Sequence, residues 1–107
     1  MKIINMGRGQ GKTKRLIQYS SVNNIPIVCW SRQHCKIIKE MAEEMKLKIP
    51  EPIIAENQDI QPRGKIIYDK VVIDDLGIVL RKLTGCDVDL ATTSCEMEIT
   101  RGEKYGI

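Results

Sequence analysis

Short apolar runs alternate along this chain with stretches whose apolar residues recur at helical spacing. Lys2 to Met6 (KIINM) is a brief apolar run that stops at glycines, which predicts a buried strand. Gly7 to Gly11 predicts a turn-rich loop. From Lys12 to about Ser21, Leu16 and Ile17 with few breakers predict a helix, ended by Asn23 and Asn24. Ile25 to Trp30 (IPIVCW) predicts a second strand, with Pro26 near its start, where a strand tolerates it. Ser31 is placed to cap the next helix, in which Ile37, Ile38, Met41 and Met45 share one stripe. Pro50 and Pro52 close that segment.

The middle of the chain is less regular. Ile53 and Ile54 suit a short strand, and Gln61 to Gly64 reads as a loop. Val71 to Asp74 predicts a third strong strand, with a start as early as Ile66. Leu76, Val79, Leu80 and Leu83 follow at helical offsets, and Gly85 is the expected stop. Val88 to Thr92 (VDLAT) is a further strand candidate, and the tail from Glu96 to Ile107 has room for one short strand. Strands that alternate with helices imply right-handed crossovers, hence an α/β fold with a short, mostly parallel sheet.

Composition narrows this reading without redirecting it. The 107 residues suffice for one domain, 1–107, and not for two. With one Trp, three Tyr and no Phe, the core must come from Ile, Val, Leu and Met. A formal charge of +3 permits contact with phosphates or nucleic acid but does not demand it. The four cysteines form no CxxC pair and the single His34 has no cluster of ligands around it, so a zinc site is not expected. Cys29 and Cys95 lie in or beside expected strands, where a free thiol acts as a small apolar group, and this suggests a reducing compartment. No signal peptide or membrane-crossing run is visible, so a cytoplasmic location is the expectation.

The chemistry concentrates in MGRGQGKT, Met6 to Thr13. Gly9 and Gly11 permit backbone conformations other residues resist. Successive N–H groups can then turn inward around phosphate oxygens, and a helix starting at Gly11 or Lys12 adds its positive end. Lys12 can reach the β- and γ-phosphates, and the Thr13 hydroxyl can ligate magnesium. The segment resembles the Walker A motif of P-loop NTPases, with Gly11-Lys12-Thr13 as its final triplet. The usual first glycine falls on Met6, so the spacing is closer to the GxGKT form of helicase-like, terminase-like and other RecA-like proteins. The resemblance implies nucleotide contacts from Gly7, Arg8, Gly9, Gln10, Gly11, Lys12, Thr13 and Lys14. A Gly-rich turn before a basic helix start is the plainer alternative.

KVVIDD, Lys70 to Asp75, resembles a Walker B motif. A strand there would carry Asp74 to the same sheet edge as the phosphate loop, where it could hold magnesium together with Thr13. Asp75 stands where related ATPases usually carry Glu to activate the attacking water, and Asp is one methylene shorter. The resemblance therefore gives Lys12 and Asp75 the catalytic roles but implies slow hydrolysis or none. It also implies a polar sensor among Thr92, Thr93 and Ser94, for which a Ser/Thr turn is the equal alternative. Arg8 and Arg101 are candidate phosphate contacts or simply solvated. Arg32, Gln33, His34 and Lys36 sit where helicase-like domains touch nucleic acid, although a polar helix end accounts for them equally, and His34 reads as a surface or satisfied histidine.

This likeness spans Lys2 to about Ser94 and implies a minimal three-layer RecA-like P-loop domain of phage or mobile-element type. It also supplies a strand order: the P-loop strand, the Val88 strand, the Val71 strand, then the Ile25 strand. Two functions follow. One is binding of ATP with magnesium, with slow hydrolysis, in nucleic-acid transactions. The other is a binding module that keeps the nucleotide fold and works through a protein partner. No second lobe delivers an arginine to the phosphates, so self-assembly or a larger partner is expected.

Overall fold

The computed structural model describes residues 1–5, 11–55 and 68–101. The elements run β1 (Lys2–Asn5), α1 (Lys12–Asn23), β2 (Ile27–Cys29), α2 (Arg32–Glu44), β3 (Ile53–Ile54), β4 (Val72–Ile73), α3 (Leu76–Thr84) and β5 (Glu98–Arg101). This is a small α/β architecture in which every described strand pair is parallel. A start of β4 near Ile66 and the Gln61 to Gly64 loop lie outside the described residues.

β2 is the hinge of the packing. It is fully buried, and it pairs with β3 on one side and β4 on the other. Because side chains alternate across a strand, its residues divide between two cores. Ile27 and Cys29 join Ile17 of α1 and Cys35, Ile38 and Ala42 of α2. Val28 faces the other way, toward Ala55 and Val79 of α3. Each fully buried aliphatic side chain contributes about 1.5–3 kcal/mol of burial, so this three-stranded unit holds most of the cohesion. Pro26 needs no ladder donor at the strand start, and its carbonyl accepts from the Val72 N–H at 2.9 Å.

The helix ends follow local chemistry. Gly11 caps α1 at φ 76°, a left-handed value; among the described residues an added Cβ there would meet nothing within 4 Å, and backbone strain favours glycine. Ser31 caps α2 by accepting from the His34 N–H. At the other end of α2, Lys46 adopts φ 57° while its N–H reaches the Glu43 carbonyl at 3.0 Å and the Leu47 N–H reaches the Ala42 carbonyl at 2.9 Å. That is a Schellman closure, with lysine where glycine is usual. Gly85 ends α3 at φ 79°.

Three expectations are corrected. Val88 to Thr92 forms no strand: Val88 is 45% exposed and Leu90 85% exposed, and flanking Asp87 and Asp89 disfavour a pleated, half-buried surface. The strand beside β1 is instead β5, in register Lys2↔Glu98 to Asn5↔Arg101. The described strands thus form two hydrogen-bonded sheets, β1-β5 and β3-β2-β4, where one continuous sheet was expected. The pairing of the Val71 segment with the Ile25 segment does occur, as β4 with β2. On α2 the buried stripe is Cys35, Ile38 and Ala42, flanked by Met41 and Met45, while Ile37 is 46% exposed.

Candidate functional site

The start of α1 and the end of β4 meet at one place. Thr13 is the second residue of α1, one position past Lys12, and both are half-buried. Asp74 directly follows β4, and its N–H bonds the Val28 carbonyl at 3.4 Å, which pins the residue to the sheet edge. Its side chain is buried, with 4% of the residue exposed. Across 61 positions of sequence, the Thr13 hydroxyl donates to Asp74 Oδ2 at 3.1 Å. A hydroxyl that gives its proton away keeps its lone pairs for another partner.

A third group joins them. His34 Nε2 lies 3.0 Å from the same Oδ2. The other ring nitrogen, Nδ1, accepts from the Trp30 N–H at 3.2 Å. An acceptor nitrogen carries no proton, so the ring proton sits on Nε2 and is donated to Asp74. The Trp30 indole stacks on the imidazole, with centroids 3.3 Å apart and planes 15° from parallel. His34 is 6% exposed. The expectation of a satisfied histidine holds, but sequence reasoning gave it no place at this site. The missed signal was its position: His34 precedes Ile38 by four residues and so shares the inward face of α2.

Asp75 goes elsewhere. It takes φ 64° and caps α3, its Oδ1 accepting from the Ile78 N–H at 3.3 Å. Asp is among the residues best suited to both tasks, a left-handed backbone and an N-cap, which gives a local reason for Asp over Glu at this position. Asp75 is exposed, whereas Asp74 is buried.

The remaining candidates scatter. Lys14 is exposed on α1, and Arg101 is exposed on β5. Arg32, Gln33 and Lys36 are exposed around the start of α2. Thr92, Thr93 and Ser94 are exposed and lie outside any strand; the Thr93 hydroxyl closes a local turn by accepting from the Cys95 N–H at 3.2 Å. Gly7, Arg8, Gly9 and Gln10 lie outside the described residues.

Behind the site, burial foremost, then the neighbouring Cys35 thiol and the Asp74 charge, push the Cys29 thiol well above its ordinary range. Such a thiol is a packing group rather than a nucleophile. Among the described residues no three His, Cys, Asp or Glu side chains are grouped to hold a metal, and no helix is long and apolar enough to cross a membrane. Comparison with protein-family models, with curated proteins and with solved structures finds no match to this chain.

Proposed function

We propose that this chain binds a nucleoside triphosphate, ATP foremost, with magnesium, through a phosphate loop from Gly7 to Thr13 in a minimal RecA-like domain. The observation that carries this reading is the meeting of Thr13 and Asp74 at 3.1 Å. A glycine-rich segment ending in Gly-Lys-Thr and an apolar strand ending in aspartate are each common. Their convergence, at a helix start and a strand end, is what a magnesium–triphosphate site requires. The donor set suits that ion: magnesium takes one or two protein oxygens, keeps several waters and completes its octahedron with substrate phosphates. Thr13 would supply a hydroxyl oxygen and Asp74 a carboxylate, while Lys12 at the first position of α1 would neutralise phosphate charge. Magnesium, when bound, would screen the charge between the β- and γ-phosphates.

One observation favours the second reading, binding with little turnover. The Asp75 carboxylate is engaged as the cap of α3. A side chain used in that way is poorly placed to activate water. The test is titration of ATP, ADP and GTP with and without magnesium, followed by phosphate release. Lys12→Ala should weaken triphosphate binding at least tenfold, about 1.4 kcal/mol, in a folded protein. Unchanged affinity would sink the assignment, and fast turnover by a proven monomer would overturn the low-turnover reading.

A further inference from the structure

The binding chemistry above leaves His34 unexplained, although it is buried, polar and in contact with the carboxylate at the centre of the site. We propose that His34 is a positioning residue that fixes the rotation of the Asp74 carboxylate for magnesium–triphosphate. This rests on the nucleotide reading and deepens it.

The last torsion of an aspartate is broad and roughly two-fold, so one hydrogen bond leaves the carboxylate free to swing. Here two donors converge on the same oxygen. Thr13 Oγ1 and His34 Nε2 lie 3.1 and 3.0 Å from Oδ2. The imidazole is itself immobilised from three directions. The Trp30 N–H holds Nδ1, the Trp30 ring covers one face, and the Ser31 hydroxyl anchors the His34 backbone N–H at 3.1 Å. The Trp30 N–H also selects the tautomer that donates to Asp74. An aliphatic residue could fill the same buried position on the inward face of α2 without the cost of burying a polar ring. The ring's one N–H is instead directed at Oδ2, the oxygen that Thr13 also binds. Groups that orient a metal-binding side chain in this way commonly alter metal affinity about 10- to 100-fold when removed.

The experiment titrates ATP into the full chain, in magnesium and in chelator, for the wild type, His34→Asn and His34→Gln. The Gln amide reaches about as far as Nε2, whereas the Asn amide stops near Nδ1 and cannot reach Asp74. The proposal expects His34→Asn to lose at least about tenfold of the magnesium-dependent gain in affinity. Its affinity in chelator should stay unchanged, and His34→Gln should keep most of the gain. A purely structural role would move both conditions together and give no rescue by Gln, and that outcome overturns the proposal. So does a folded His34→Asn with the full magnesium gain, which leaves the nucleotide reading standing. A wild type that binds no triphosphate removes the nucleotide reading and this inference with it. Should His34→Asn fail to fold, imidazole nitrogen resonances of the wild type decide. A proton on Nε2 and a His34 shift when magnesium is added to the ATP-bound chain uphold positioning; a proton on Nδ1, or no shift, overturns it.

Discussion

The three-stranded sheet and the arm that returns to β1 are held in different ways. Around β2, apolar side chains interlock on both faces, and Ile17, Ile27 and Ile38 are fully buried. From Arg81 to Arg101 every residue is exposed, and β5 is held to β1 by a parallel ladder and a bond from the Met1 amino group to the Glu96 carbonyl at 2.8 Å. Backbone hydrogen bonds alone give little net stability, because water offers the same bonds to the unfolded chain. A two-stranded ribbon without a buried face is marginal. The lesson concerns the site: Thr13 and His34 lie on helices that pack in the first core and Asp74 directly follows β4, whose Val72 packs against it, whereas the candidate sensor hydroxyls ride on the arm. Geometry needed for binding is fixed where side chains are buried.

That contrast can be broken most strongly in the core. Ile38→Ala should destabilise the chain by about 2–5 kcal/mol, measured by denaturant unfolding. Leu90→Ala on the arm should stay within about 0.5 kcal/mol. Comparable losses at the two positions would mean that the arm is packed more tightly than its exposure indicates. Next comes the cap of α3, the helix that covers the second core. Asp75→Ala should cost about 1 kcal/mol, while Asp75→Asn should be nearly neutral, since asparagine both caps and tolerates a left-handed backbone. If Asp75→Asn nonetheless abolishes phosphate release, Asp75 has a catalytic role beyond its cap. The smallest effect is expected where α2 closes. Lys46→Gly should raise stability by about 0.5–1 kcal/mol by relieving the positive φ, with no change in hydrogen exchange along β5. A destabilised Lys46→Gly protein would show that the lysine side chain makes a contact that outweighs the strain.

Much of the core was legible in the sequence because its signals are local. The apolar runs at Lys2, Ile25, Ile53 and Val71 all contain strands, and Ser31, Asn24 and Gly85 sit at the helix ends their chemistry favours. The arm was misread because strand formation there depends on a partner. Val88 to Thr92 alternates acceptably by itself but pairs with no strand among the described residues, while Glu98–Arg101 has β1. At the site, the meeting of Thr13 with Asp74 is what one parallel sheet predicts, since helix starts and strand ends share an edge of such a sheet, and it occurs although the described β1 and β4 belong to separate hydrogen-bonded sheets. The capping role of Asp75 and the bond from His34 were not legible in the same way. Both depend on single backbone conformations and side-chain directions, which leave no periodic trace.

The most direct test of the central claim is the magnesium dependence of ATP affinity in the wild type and in Thr13→Val, which keeps the side-chain shape but removes the hydroxyl that meets Asp74. The account predicts that magnesium tightens ATP binding to the wild type at least tenfold, about 1.4 kcal/mol, and that folded Thr13→Val loses most of this gain. Equal magnesium gains in the two proteins, or no ATP binding by the folded wild type, would contradict it.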